Sequence, residues 1–172
     1  MTEFVVRPAR GSDADALYAI NEAAVPGVNS VPRDEFPALM ALADLTLVAV
    51  DRSDRVAGFV LCLVEGVDYG SLNYAWISNY YKTFAYVDRV AVAADARGNG
   101  IGGLLYDAVA AHYAGRRPSI LAEVNLAPPN PGSLKFHRER GFGDVGQRWS
   151  EDRAKGVGFA AMRMGVERGR DR

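Results

Sequence analysis

Only one of the 172 residues is cysteine and only two are histidine. A lone thiol excludes an internal disulfide, and Cys62, set in the apolar run Val60-Leu61-Cys62-Leu63, suits a small core residue better than a nucleophile. No metal site is expected. No stretch approaches the roughly 18 apolar residues of a membrane span, and Met1-Thr2-Glu3-Phe4 lacks the charged and then apolar regions of a secretion signal. A cytoplasmic protein with no membrane partner is therefore the default expectation. Charge of one sign is missing too: the formal net charge is -1, and apart from Arg168, Arg170 and Arg172 the basic residues are scattered, which disfavours nucleic acid. No repeat, low-complexity tract or linker divides the chain, so one domain over residues 1–166 is expected, with a frayed tail at 167–172.

What is present is an ordinary globular composition with alternating apolar patterns. Phe4 to Pro8 reads as a strand, and Ser12-Asp13 caps a helix carrying Ala16, Leu17 and Ile20 on one face. A second short helix is expected from Pro32 to Met40. Leu45–Val50 and Val56–Leu61 flank the polar turn Asp51–Arg55 and read as a hairpin. From Glu65 to Thr83 regular spacing gives way to aromatics (Tyr69, Tyr74, Trp76, Tyr80, Tyr81), which points to a functional loop rather than an element. An apolar strand, Ala85–Val92, leads through a turn to Arg97-Gly98-Asn99-Gly100-Ile101-Gly102-Gly103 and a long helix, after which come a strand at Ile120–Val124, a helix at Ser133–Arg140 and two closing strands.

Glycines bunched where a strand passes into a helix allow close approach of a ligand to the backbone. The free N–H groups of the first helical turn add the positive end of the helix dipole, a combination suited to phosphate. Gly98-x-Gly100-x-x-Gly103 matches the dinucleotide fingerprint by letter, with Glu123 near the distance of a ribose contact, but Ala93 to Arg97 separate the strand from the first glycine. A nucleoside-triphosphate loop fails because no Gly-Lys-Ser or Gly-Lys-Thr follows. A purely structural turn is the remaining alternative.

The arginine that leads Arg97-x-x-Gly100-x-Gly102, after Val90-Ala91-Val92 and before an amphipathic helix, resembles the defining pattern of the GNAT superfamily of acetyltransferases. A second signature follows in order: Glu123-Val124-Asn125, Asn130, Leu134-Lys135-Phe136-His137 and Gly141-Phe142. The resemblance implies an α/β (α+β) fold with a mixed central sheet of six to seven strands and helices on both faces, and acetyl-coenzyme A as cofactor. It further implies an acyl transfer to a primary amine of a small molecule or a peptide N-terminus. A non-catalytic module that binds acyl-coenzyme A as a sensor is the alternative.

By the same resemblance the pyrophosphate takes backbone bonds from Arg97, Gly98, Asn99, Gly100, Ile101, Gly102 and Gly103. The pantetheine arm lies along Val90, Ala91 and Val92, with Asn130, Ser133 and Phe136 nearby, and the strands flanking the site splay apart. Glu123 is the favoured base, since an isolated carboxylate within an apolar strand must pair or carry a role; a salt-bridge partner is its other reading. Asp88 is the reserve base, with an ion pair to Arg89 as its plainer fate. The family often has a tyrosine four residues before the position of Gly141; His137 stands there instead and could donate a proton to sulfur, bond the cofactor or simply pack. Acceptor walls are expected from Glu65, Asp68, Tyr69, Trp76 and Tyr81, with Asn29 and Arg33 opposite, an arrangement suited to a cationic amine. Packing within the loop or against a second copy of the chain is the alternative for these aromatics, which leaves a homodimer open.

Overall fold

The apolar runs become the inner strands of one sheet. A computed structural model describes residues 2–164, so the expected domain end at 166 and the tail at 167–172 lie outside the described residues. The strands are β1 (Val5–Pro8), β2 (Leu45–Val50), β3 (Val56–Val64), β4 (Ala85–Val92), β5 (Ser119–Ala127), β6 (Gly143–Trp149) and β7 (Gly156–Arg163), in the order β1-β2-β3-β4-β5-β7-β6. Every neighbouring pair is antiparallel except β4 with β5. The expected mixed sheet is present with seven strands.

Helices α1 (Ala14–Ala23), α2 (Phe36–Leu42) and α3 (Leu72–Tyr80) cover one face, where Leu17, Phe36 and Ile77 pack on Phe59, Leu61 and Leu121. On the other face lie α4 (Ile101–Tyr113) and α5 (Pro131–Glu139); Ile101, Leu105 and Val109 of α4 press on Val60, Cys62 and Val87. Burial on both faces explains why β3 reads as an unbroken apolar run. Cys62 is buried in that layer. Among the described residues no helix is long and apolar enough to cross a membrane.

Three local expectations need correction. The first helix begins at Ala14, and the Asp13 side chain does not cap it: its carboxylate accepts from Arg7 Nη1 at 2.8 Å and from the Arg10 N–H at 2.7 Å. The second begins at Phe36, later than Pro32. The stretch from Glu65 to Thr83 contains a helix, α3, where a loop was expected. Ser71 caps it by accepting the Tyr74 N–H at 3.3 Å, and Tyr74 and Ile77 face the core. Trp76 and Tyr80, four residues apart, touch on its surface.

Helix α3 is pinned by an aromatic contact over a missing side chain. Trp76 stacks on Phe159 of β7 with ring centroids 4.1 Å apart and planes 6° from parallel. A Cβ at Gly146, beside Phe159 on β6, would stand 2.4 Å from that indole. Because an added Cβ would overlap the stacked ring, Gly146→Ala is expected to destabilise the fold by about 1–3 kcal/mol, read as a lower urea midpoint. An unchanged midpoint would show that Trp76 is free to move.

Candidate active site

Among the described residues the only parallel strand pair is also a short one. β4 and β5 are joined only from Ala85–Val87 to Ile120–Ala122, beyond which they part. On its other side β4 stays paired with β3 as far as Val92. The Ala93 N–H bonds the Ala57 carbonyl on that side, so by the alternation of a strand the polar groups of Val90 and Val92 face the gap. A bulge at Asp88, where Cys62 opposes Val87 but Leu61 opposes Arg89, resets the side-chain phase. Arg89 is thereby turned towards α1, and Val90 towards α4.

The gap widens into a cavity of about 1110 Å³, lined by Asp88 to Val92, Arg97, Tyr106, Glu123, Asn130 and Ser133 among others. After Arg97, the one residue of the expected phosphate segment that lines the cavity, the chain turns through Gly98 (φ 80°) and Gly100 (φ 72°), in the left-handed region that disfavours side chains, with open space where a Cβ would stand. The Asn99 amide donates to the Ala96 carbonyl at 2.9 Å and holds the turn. Beyond it the first-turn N–H groups of Ile101, Gly102 and Gly103 have no acceptor within the helix, which fits a diphosphate. Gly102 and Gly103 serve packing as well: Phe136 lies 3.6 Å from a Cβ on the first and the Arg140 guanidinium 3.2 Å from one on the second. The Phe136 ring is therefore turned onto α4 and Tyr106 and does not line the cavity. Asn130 lines it and caps α5, accepting the Ser133 N–H at 3.1 Å.

Glu123 faces the cavity across the gap from β4. Its Oε2 accepts a 2.5 Å bond from the hydroxyl of Tyr86, itself fully buried. Burial pushes the Glu123 carboxyl up to about 7; the Tyr86 bond opposes the rise, the Asp88 charge adds to it, and the Asn73 amide eases it. Asp88 pairs with Arg89 at 2.9 Å, and Arg89 Nη1 donates to Asn21 Oδ1 at 2.9 Å and to the Asn29 carbonyl at 3.2 Å. Asp88 balances the buried guanidinium that ties the β4 bulge to Asn21 of α1.

His137 is 4 % exposed and does not line the cavity. Its Nδ1 lies 2.7 Å from the Ser133 carbonyl, which can only accept, so Nδ1 carries the proton. Nε2 is then bare and accepts from the Tyr106 hydroxyl at 2.6 Å. Burial holds the imidazole below its usual pKa, in the neutral form. Tyr106 stands between His137 and the cavity; Tyr86 and Tyr106 escape notice in the sequence because they look like core residues, and Asn73 because it falls in the stretch read as a loop.

The chain matches the Acetyltransferase (GNAT) family over residues 15–142. It belongs to that family. It is 34% identical over 88 residues, 49% of its length, to an uncharacterized N-acetyltransferase of Methanocaldococcus jannaschii, and the match spans 38% of that relative. Its fold is similar to that of the ribosomal-protein-S18-alanine N-acetyltransferase from Escherichia coli (TM-score 0.75, 15% identity, 99% of each chain). It is also similar to that of NAA60 from Arabidopsis thaliana in complex with acetyl-CoA (TM-score 0.72, 18% identity, 94% of this chain and 99% of that one).

Within this GNAT chain the expected acceptor wall is only partly assembled. Tyr69 and Asn29 line the cavity. Glu65, Asp68, Trp76 and Tyr81 do not. Glu65 instead pairs with Arg117 at 3.1 Å and accepts the Phe84 N–H; Asp68 is exposed to solvent. Trp76 is held by Phe159, and Tyr81 packs on the core at the end of α3. Arg33 lies over Tyr18 and pairs with Asp15. The cations Arg148 and Lys155, from β6 and the turn before β7, are part of the lining instead.

Glu123 binds its proton more tightly folded, at about 7, than at its ordinary 4.5. Its contribution to stability is full below about pH 4.5 and is lost as pH rises to about 7. The stability of the wild type relative to Glu123→Gln, from urea unfolding, is therefore expected to fall across that window and level off above it. A flat difference would place the carboxyl at an ordinary pKa.

Proposed function

We propose that the chain is an N-acetyltransferase that passes the acetyl group of acetyl-coenzyme A to a primary amine, of a small molecule or a peptide N-terminus, by direct attack within a ternary complex. The observation that carries this reading is the free edge of β4 at Val90 and Val92 facing a raised-pKa carboxyl, Glu123, across the gap. Acetyl-coenzyme A supplies the thioester carbonyl that the amine attacks. The α4 amino end and Arg97 hold the diphosphate; the Val90 and Val92 backbone groups pair with the pantetheine amides as an added strand would. A free N–H of the same edge polarises the carbonyl oxygen.

Glu123, ionised above about pH 7, takes the proton that the amine must lose, directly or through a water. Tyr86 orients it. Tyr106 rather than His137 lines the cavity, but its one proton is given to His137 Nε2, so the coenzyme A thiolate departs unprotonated and takes its proton from solvent. Asp88, paired with Arg89, is left a positioning role. Residence in the cytoplasm belongs to the same proposal, and the reaction as written uses no nucleic acid, membrane or metal.

Acetyl-coenzyme A is expected to raise the melting temperature and NAD to leave it unchanged; the reverse would rule out the reading. Thiol release over a panel of amines then tests turnover, and binding with no turnover on any amine would favour a sensor. Glu123→Gln should lower kcat by roughly 10²- to 10⁴-fold with little change in cofactor affinity. In the wild type kcat/KM should rise with pH through about 7. Tyr86→Phe removes a donor that favours the carboxylate, so it should move that rise to higher pH. A rise that stays in place would detach Tyr86 from the base.

A further inference from the structure

Leaving aside Arg97 at the phosphate end and the Asp88–Arg89 pair, the charged groups around the acceptor half of the cavity are Glu123, Arg148, Lys155 and Glu35. Neither Arg148 nor Lys155 is in an ion pair among the described residues. Arg148 is half-buried, and its Nε donates to Asn73 Oδ1 at 2.9 Å, which aims the guanidinium while its two terminal nitrogens have no partner among the described residues. The strand register puts Arg148 in line with Val157 and Asn125, on the same face as Glu123. Asn73 is 8 % exposed; its oxygen accepts from Arg148, and its amide is among the groups that favour the Glu123 carboxylate. The Cα atoms of Glu123 and Arg148 stand about 12 Å apart, two strand spacings across and two residues along, so the two side chains project into one part of the cavity that both line.

We propose that the acceptor carries a carboxylate a few bonds from its amine, a free amino acid, and that Arg148, helped by Lys155, binds that carboxylate while the amine faces Glu123. This deepens, and rests on, the acetyltransferase reading above. A planar guanidinium with two open donors on one edge matches a carboxylate in shape and charge. An α-amino acid sets its amine and its carboxylate one carbon apart, so a small acceptor in the cavity that both groups line can offer one end to each. The phosphates of the cofactor do not compete for this site, since their turn lies at the end of β4 and Arg148 lies two strands beyond β5. Glu35, exposed on the opposite wall, is the feature that a polycationic amine would use instead.

The test compares free L-amino acids with the same compounds as carboxamides, using acetyl-coenzyme A and thiol release. Carboxamides hold more of their amine in the reactive neutral form, so chemistry alone favours them. The wild type is expected to prefer the acids by at least about 10-fold in kcat/KM. Arg148→Gln should erase about 10- to 100-fold of the acid rate while the carboxamide rate stays within a few-fold. The ratio of the two rates within one variant is insensitive to partial loss of folded protein. Arg148→Lys should restore part of the preference, Lys155→Ala should weaken it, and the acetyl-coenzyme A Kd should not move in any of them. Equal or faster turnover of carboxamides, diamines or peptide N-termini by the wild type would overturn the proposal and leave the acetyltransferase standing. Thiol release with none of these acceptors would sink both.

Discussion

The parting of β4 from β5 after three residue pairs is the constraint on which the rest of the molecule depends. A parallel pair continued to Val92 would satisfy the backbone of Asp88 to Val92 and close the sheet. Left open, that edge holds unpaired donors and acceptors beside a cavity, an arrangement that an extended, amide-bearing ligand can complete. The parting needs support on both sides. β3 holds β4 from behind, and the bulge at Asp88 lets Arg89 tie the strand to Asn21 and the Asn29 carbonyl. On the far side β5 is kept in the sheet by β7 over nearly its whole length.

The same opening explains the chemistry of Glu123. Were β5 fully paired and covered, a carboxylate there would lie in the core; were it on an edge, it would be solvated and ordinary. At the mouth of the gap it is enclosed enough to be held near neutrality yet meets the cavity. Tyr86, one strand away and fully buried, can reach it because the two strands are still joined at that level. The Tyr106 hydroxyl, which lines the cavity, donates to His137, the residue that stands where the family pattern often has a tyrosine.

Much of this was legible in the residues. Strands β2 to β5 and helix α4 follow from apolar periodicity, and the turn from Arg97 to Gly103 from its glycines. Glu123 stood out because a lone charge in an apolar strand is unusual. What escaped was set by tertiary contacts. Helix α3 was hidden because its aromatics face two ways, Tyr74 into the core and Trp76 onto Phe159, so no single stripe marked it. Glu65 looked like an acceptor carboxylate, but Arg117, fifty-odd residues away in sequence, claims it. Arg148 carried no local signal, because its position depends on the order in which β6 and β7 join the sheet. A histidine in place of tyrosine at 137 suggested a proton donor; only the Ser133 carbonyl, which fixes the tautomer, shows that its free nitrogen accepts from the buried Tyr106 hydroxyl instead.

A crystal structure of the protein with acetyl-coenzyme A tests the central claim most directly. The pantetheine arm should run as a short strand along β4, hydrogen-bonded to the Val90 and Val92 backbone, with the thioester carbonyl between that edge and Glu123. A cofactor bound elsewhere, with the β4 edge from Asp88 to Val92 still bare, would contradict the account.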